Sequence, residues 1–320
     1  EGFFEPWMRF CQHVDAVFLR LYGMGRDAVH AAESEASAGF SMAASREGIS
    51  PLWRETAAAI EFVAAPPDPG VMARAAAYRA PDARTALLVP GAATPEQGRW
   101  WPWHAALHRH SGLWWNLDEG PESVLDAGGA VDPVFSEVIA QTRAVRAGFS
   151  ELFLLAYPAE TPIAVYDSRP SELLHGATGQ SGAFAGALVL LRSLGLAAAL
   201  VPSDDVRAEV LATYKCLVLP GVDVLSDAET AGLRMFVESG GMLLADTPPG
   251  AFDVSGRPRE KPPLDDMFTP LPAPGRWLLR RQPPTTTPAP KTRAGGIELP
   301  LSSTTRPAWQ ASRSMPPRRS

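Results

Sequence analysis

The sequence is poor in cysteine and in long apolar runs. It contains two cysteines, Cys11 and Cys216, whose wide separation argues against a disulfide scaffold and favours a reducing compartment. No run of about 18 apolar residues occurs, as a membrane-spanning helix would need. The chain begins at Glu1 without a basic segment followed by an apolar one, which predicts no secretory signal peptide. We therefore expect a cytoplasmic protein without membrane contact, and either a trimmed chain or a fragment.

Basic residues are scarce over most of the chain. It has 29 Lys and Arg and 35 Asp and Glu, a net charge of -6. Nine of the basic residues but one of the acids follow residue 268, so residues 1–268 carry a net charge of -14. Phosphate contacts need basic side chains, so we expect no nucleic-acid partner for this acidic part.

The common nucleophile motif is also missing. The stretch VESGGMLLADTPPG at residues 237–250 has the strand and turn of a nucleophile elbow, but Asp246 and Thr247 occupy the place of a reactive Ser or Cys. Asp246 fits a ligand contact or a hydrogen bond to the following turn. Cys216 lies within a predicted strand, where cysteine is usually a small buried hydrophobe. We therefore expect no amidotransferase-type triad.

Metal and phosphate motifs are incomplete. His104 and His108 share a helix face, but the Glu of the H-E-x-x-H zinc motif is absent. The run HGATGQSGAFAG at residues 175–186 precedes a helix, as a phosphate-binding loop does, but it lacks G-x-G-x-x-G; loop flexibility and close helix packing also explain its glycines. We expect neither a metal nor a cofactor.

A regular alternation of strands and helices is present at residues 162–246. The predicted strands are PIAVYD, LAAALVP, KCLVLPG and MLLAD, and the predicted helices lie at residues 181–195, 203–214 and 226–241. Ser203 is a predicted N-cap, and Ser226 with Glu229 has capping-box spacing. This pattern predicts an α/β, doubly wound parallel sheet. Ligands of such sheets bind at the carboxyl ends of the strands, here near Asp167, Pro202, Gly221 and Asp246.

The first half of the chain repeats strand–helix units more irregularly. Strands are predicted at residues 14–23, 38–45, 83–93 and 111–116, and helices at residues 25–37 and 132–156 and in the segment that carries Trp100, Trp101 and Trp103. Aromatic residues at predicted strand ends are typical of the later half of a (β/α) barrel. A complete barrel needs about 250 residues. We therefore predict a partial TIM barrel.

Tryptophans mark a possible sugar site in this first half. Trp114 and Trp115 end a predicted strand, where indole rings stack on sugars, although core packing explains them equally well. Glycoside hydrolysis needs two carboxylates beside the cleft. Glu96, Asp118 and Glu119 lie in predicted loops, but no pair can be assigned. The candidate substrate-binding residues are Trp114, Trp115 and Glu96.

Two stretches resemble a known family. The pattern LSD.E...L..FV.SGG.L.AD, followed by PG.FD..GRP, resembles the amidotransferase-like domain that follows the barrel of family 42 β-galactosidases. RWWPWHAALHRHSGLWWN resembles the family's last barrel helix and final strand. The resemblance covers residues 83–268 and extends less clearly to residue 14.

The resemblance implies three parts of the chain. Residues 1–160 are expected to form the C-terminal portion of a TIM barrel and residues 161–268 a flavodoxin-like class I glutamine amidotransferase-like domain without its triad. Residues 269–320, with 11 of the 32 prolines, are expected to be disordered or not native. The family hydrolyses galactosides with two glutamates and forms trimers through the second domain.

Three departures leave the catalytic residues unknown. The family's Asn-Glu pair would precede Glu1. Pro90 and Gly91 occupy the place of the nucleophile Glu, and the tail replaces a folded segment. We expect an inactive fragment of a β-galactosidase-like enzyme. The resemblance implies a carbohydrate substrate and assembly into a homotrimer. A non-catalytic carbohydrate-binding or assembly protein and an active amidotransferase or peptidase are the alternatives.

Overall fold

The structure of this chain is a computed structural model in which two sheets carry the fold. It describes residues 4–41, 54–78, 83–89, 94–114, 129–131, 133–155, 160–178, 182–270 and 278–280. All of these residues fall within one compact unit, residues 1–283. In the part of the chain that is described, no helix is long and apolar enough to cross a membrane.

The first sheet contains four parallel strands in sequential order. They are β1 (Gly39–Ser41), β2 (Phe62–Ala65), β3 (Arg84–Leu88) and β4 (Gly112–Trp114). The helices of this region are α1 (Glu5–Ala32), α2 (Arg54–Ala59), α3 (Pro69–Tyr78), α4 (Pro95–Leu107), α5 (Pro133–Ala144) and α6 (Ser150–Leu155). Sequential order means that every crossover advances in one direction, as in the wall of a (β/α) barrel. The region is compatible with a partial TIM-barrel-like fold.

Several element predictions for this region were wrong. The segment at residues 14–23 is not a strand but the middle of α1. Its β-branched and aromatic residues favoured a strand, but Met8, Cys11, Phe18 and Tyr22 recur at helical spacing and pack inwards as one face.

Other boundaries in the first region also differ. The strands predicted at residues 38–45, 83–93 and 111–116 are present as β1, β3 and β4, and the last residues of each prediction lie outside the described residues. Strand β2 and helix α3 were not predicted. The single helix expected at residues 132–156 is broken by a kink at Gly148, whose φ of 144° is not helical.

The second sheet contains six strands in the order β6-β5-β7-β8-β10-β9. They are β5 (Ile163–Asp167), β6 (Ala199–Pro202), β7 (Cys216–Leu219), β8 (Met242–Ala245), β9 (Thr269–Pro270) and β10 (Leu278–Arg280). The first four are mutually parallel, and β10 pairs antiparallel with β8 and β9. The order reverses between β5 and β7, as in an open doubly wound sheet.

Helices cover both faces of the second sheet. They are α7 (Arg169–Thr178), α8 (Ala183–Ser193), α9 (Ala208–Leu211) and α10 (Asp227–Glu238). Val165 and Val218 pack under α8, whereas Ala164 and Leu217 join the core that includes residues of α10. All four predicted strands are present. Because they are parallel, their carboxyl ends lie at one edge of the sheet.

Two predictions for the second region need correction. The helix predicted from Ser203 is a 3-10 turn, Ser203–Asp205, followed by the short α9. The carboxylate of Asp205 pairs with Arg54 of α2 at 2.7 Å. This ion pair competes with the position that Asp205 would take in the first turn of a helix. Strands β9 and β10 lie in the segment expected to be disordered, so that expectation is corrected there. Residues 271–277 and 281–320 of the segment lie outside the described residues.

Candidate functional site

Trp114 lies at the carboxyl end of β4, on the sheet face opposite α3 and α4. Its register partner is Leu88 of β3, and its ring centroid lies 4.9 Å from that of Phe62. Leu87 points to the other face and packs with Met72 of α3. The Trp114 side chain is 45% exposed, so it offers an aromatic surface to solvent. Trp115 lies outside the described residues.

Glu96 lies on the first turn of α4 and not in a loop. Its pKa is lowered, first by a backbone hydrogen bond at the helix start and then by Thr94. An acidic side chain there is favoured by the helix dipole. The carboxylate therefore has a structural role that explains its position without a substrate.

The other described carboxylate that follows a strand of the first sheet is also a helix cap. Asp68 comes after β2, and its Oδ1 accepts a hydrogen bond from the backbone N–H of Val71 at 2.8 Å. Asp118 and Glu119 lie outside the described residues. The place of each described carboxylate that follows a strand of the first sheet is therefore explained by the start of a helix.

The histidines of α4 form an aromatic pair. The rings of His104 and His108 have centroids 4.4 Å apart. Burial lowers the pKa of His108 to about 4, with smaller contributions from Arg192 and His104. No group of three or more potential metal ligands occurs among the described residues.

A cavity of about 300 Å³ lies between the carboxyl ends of β5 and β7. This is the point where the strand order of the second sheet reverses, and such points are the usual ligand sites of doubly wound sheets. The residues that line it include Asp68, Arg74, Ser168, Ser171, Glu172, His175, Ala183, Phe184, Ala185 and Gly221. The cavity therefore draws on α3 of the first region and on α7 and α8 of the second.

A buried ion network forms one wall of this cavity. Arg74 of α3 donates to Asp167 at 2.8 Å through Nη2 and to Glu172 at 2.9 Å through Nη1. Tyr78 also donates to Asp167, at 2.8 Å. Burial raises the pKa of Asp167, and the charge and hydrogen bonds of Arg74 oppose that shift. The network joins the two regions, because Asp167 ends β5 and Glu172 lies on α7.

Two further acids at the cavity edge have defined partners. Asp223 Oδ2 lies 2.9 Å from Nε2 of His175, which fixes the orientation of the imidazole. Asp246 accepts a hydrogen bond from the backbone N–H of Gly221 at 2.7 Å. Of the two roles left open for Asp246, the structure shows a hydrogen bond, although its donor lies on a neighbouring loop.

Gly221 has a φ of 56° and borders the cavity. A Cβ at this position would lie 2.8 Å from Cε1 of His175 and 3.0 Å from Cβ of Ala183. Any larger residue would therefore close the space between α7, α8 and the loop after β7. The absence of a side chain keeps this part of the cavity open.

The elbow position holds no nucleophile. Thr247 follows Asp246, and its hydroxyl is buried without a hydrogen-bond partner in the described part of the chain. Cys216 begins β7, and burial raises the pKa of its thiol. A raised pKa keeps a thiol protonated and unreactive. Both observations argue against amidotransferase or peptidase chemistry at these residues.

Sequence analysis missed the arginine that completes the ion network. Arg74 and Tyr78 lie in α3, a helix that was not predicted, although Asp68, Pro69 and the following alanines are a recognisable helix start. The partner Asp167 is 93 positions away. No local pattern could have indicated that pairing.

Comparison with known proteins shows similarity at the level of structure. No family model matches the sequence, and no curated protein matches it. The β-galactosidase of Bacillus circulans sp. alkalophilus aligns with 84% of this chain and 45% of its own, with a TM-score of 0.62 and 13% identity. The β-galactosidase of the haloarchaeon Halorubrum lacusprofundi aligns with 88% of this chain and 52% of its own, with a TM-score of 0.60 and 16% identity.

A family 42 enzyme shows the same relationship. Gan42B, a GH42 β-galactosidase of G. stearothermophilus, aligns with 82% of this chain and 44% of its own, with a TM-score of 0.60 and 15% identity. The chain thus spans about half the length of these solved enzymes. Identities this low establish the fold alone. The chain therefore has the fold of about half of these β-galactosidases, one of which is a family 42 enzyme.

Proposed function

We propose that this chain is the C-terminal part of a β-galactosidase-like glycoside hydrolase. In this proposal, residues 1–160 form the end of the barrel and residues 161–268 an amidotransferase-like domain without catalysis. Residues 269–320 form a tail. The supporting observation is the structural correspondence, which extends over more than four fifths of this chain but about half of each enzyme.

The described site residues agree with a chain that does not catalyse alone. Glu96 and Asp68 each have a structural role at the start of a helix. A glycosidase needs two carboxyl groups about 5–9.5 Å apart. The catalytic pair of the parent enzyme would therefore come from residues outside those described here.

The second region would serve oligomerisation. Its elbow lacks a nucleophile, and its helix α8 exposes Val189, Leu190 and Leu194, which are 50%, 44% and 63% exposed. Exposed apolar residues that cluster on one helix mark possible association surfaces. We propose a homotrimer as the assembled state. Sedimentation equilibrium tests this: a monomer at all concentrations would refute the trimer but not the hydrolase origin.

The hydrolase proposal is tested by activity and by gene sequence. The purified chain should not hydrolyse nitrophenyl β-galactoside, and the coding DNA upstream of Glu1 should encode the rest of a barrel with an Asn-Glu pair. Turnover by the pure chain that is lost in Glu96→Gln would contradict the assignment of Glu96 to a helix cap. An upstream sequence without barrel strands would contradict the hydrolase origin.

The exposed ring of Trp114 favours one alternative, a non-catalytic carbohydrate-binding protein. Trp114 would stack on a hexose beside Phe62. Galactose should then quench tryptophan fluorescence in the wild-type chain and less in Trp114→Ala. Trp100→Ala, a matched change of the more exposed Trp100 (69%), should be quenched as the wild-type chain is. An equal loss of quenching in both variants would contradict a specific platform.

A further inference from the structure

We propose that the cavity between β5 and β7 binds a small neutral polyol of monosaccharide size. This site lies in the second region, apart from Trp114 and from any carboxylate pair of a barrel. The proposal depends on the cavity, on the chemistry of its walls and on their charge. It does not depend on the hydrolase origin proposed above.

The charges of the cavity wall disfavour an anion. Arg74 is engaged by Asp167 and Glu172, and Glu172 is also bound by Arg169 at 2.9 Å. Asp68 adds another negative charge to the lining. The acids of this wall therefore outnumber its arginines, so a phosphate or carboxylate ligand would meet net repulsion.

The hydrogen-bonding groups of the wall match hydroxyl groups. Ser168 and Ser171 line the cavity and bond to one another at 2.9 Å, and Ser171 also accepts from the Val224 N–H at 3.0 Å. A hydroxyl has one donor and two acceptor sites, and each Glu172 oxygen, bound by one arginine, keeps a second lone pair. Helix α8 begins here with Gly182 as its N-cap, which has no side chain to cap the first N–H groups. A wall with both donors and acceptors suits a ligand in which each group does both, as a polyol hydroxyl does.

The size and shape of the cavity also fit. Its volume of about 300 Å³ lies at the lower end of the range for small-molecule sites. The ring of Phe184 provides an apolar wall, and Arg74 stacks on it with Cζ 4.4 Å from the centroid. Gly221 keeps the opposite side free of a side chain. The lining is therefore held in place before a ligand arrives.

The test replaces a small residue of α8 with a larger one, which fills the cavity without removing a polar contact. Ala185 lines the cavity, whereas the next residue, Gly186, is exposed with nothing within 4 Å of a Cβ built on it. Calorimetry with galactose, glucose and inorganic phosphate would be run on the wild-type chain, Ala185→Leu and Gly186→Leu. Ala185→Val is a smaller filler in case Ala185→Leu does not fold, which circular dichroism would show.

A sugar should bind the wild-type chain and Gly186→Leu equally, and the filled variants about tenfold or more weakly. Trp114→Ala should bind like the wild-type chain. Three results would overturn the proposal: no binding of either sugar at high millimolar concentration, equal binding by Ala185→Leu and Gly186→Leu, or binding of phosphate in preference to both sugars. Loss of sugar binding in Trp114→Ala alone would place the sugar on the first sheet and would also overturn it.

Discussion

The two sheets are made from the same strand–helix unit, but they differ in strand order. In the first sheet the order is sequential, and the outer strands β1 and β4 have alternating exposed and half-buried residues. In the second sheet the order reverses, and its central strand β7 is buried throughout. A sequential sheet covers itself by closing into a barrel, whereas a doubly wound sheet is complete when helices cover both faces.

This difference explains why helices of the first region pack against the second. Helix α1 packs on α7, and α3 packs on α8 and β6. Among the described residues, five ion pairs cross between the regions, each with one partner before residue 160: Arg54 to Asp205, Arg74 to Asp167 and to Glu172, Arg169 to Asp15 and Arg257 to Glu5. The Arg74–Asp167 pair is the most buried of these, so it is the most direct place to separate the regions.

Replacing Arg74 with Met should have the largest effect. Asp167 is 0% exposed and would keep a buried charge without its guanidinium partner, which typically costs about 3–5 kcal/mol. Urea denaturation at pH 7 measures the free energy of unfolding. The matched control is Arg99→Met, which breaks the exposed Arg99–Glu137 pair within the first region and should change the free energy of unfolding far less, because water and salt screen exposed ion pairs.

The pH dependence of Arg74→Met identifies the cause. Burial raises the pKa of Asp167 in the folded state, and loss of Arg74 should raise it further. A folded-state pKa above the unfolded value gives stability that is present below the unfolded pKa and is lost as the pH rises. The variant should therefore be less destabilised at pH 4 than at pH 7. An equal loss at both pH values would indicate lost packing instead.

Each region has one capping box, and the comparison of the two gives a smaller effect. In α10, Ser226 accepts from the N–H of Glu229, whose carboxylate accepts from the Ser226 N–H and from the Tyr166 hydroxyl. In α4, Thr94 and Gln97 make the same reciprocal bonds on an exposed surface. Ser226→Ala should cost about 1–2 kcal/mol and Thr94→Ala about 0.5 kcal/mol.

Thermal unfolding of the two alanine variants checks this difference. The physical reason is that Glu229 is 8% exposed, so a lost cap also disturbs its buried bond to Tyr166. Ser226→Thr, which keeps the hydroxyl, is the control for the larger effect. Equal losses in Ser226→Ala and Thr94→Ala would show that burial of the second capping residue has no influence.

The capping boxes also show how far the sequence predicts the fold. Ser226 and Glu229 were predicted as a box, and the strands around them were found, because apolar runs bounded by turns are local patterns. Thr94 and Gln97 have the same spacing and were missed. Strand β2 of the first region was also missed, since strands of three to five residues give weak periodicity.

The candidate sites were predictable only in part. The carboxyl ends of the second sheet were predicted as a ligand edge, and the cavity lies there, because strand direction follows from the strand–helix alternation. The ion network was not predicted, because Arg74 approaches Asp167 through tertiary packing alone. Trp114 was correctly expected at the end of a strand, but its exposure depends on how the sheet is covered.

The last expected effect appears only at low pH and involves a histidine of the first region near an arginine of the second. His108 is the C-cap of α4 in the first region, and Arg192 lies on α8 in the second. Burial first, then Arg192 and His104, lower the pKa of His108 to about 4. A folded-state pKa below the unfolded value of about 6.5 gives stability that is present above that value and is lost as the pH falls.

The wild-type melting temperature should therefore fall more between pH 7 and pH 4 than that of His108→Gln, whose side chain stays neutral. His13→Gln, a change of an exposed histidine on α1, should follow the wild-type curve and is the matched control. Parallel curves for the wild-type chain and His108→Gln would show that His108 titrates normally. A shallower slope for His108→Gln alone would show that the buried His108 ring, next to the positive charge of Arg192, destabilises the fold once it is protonated.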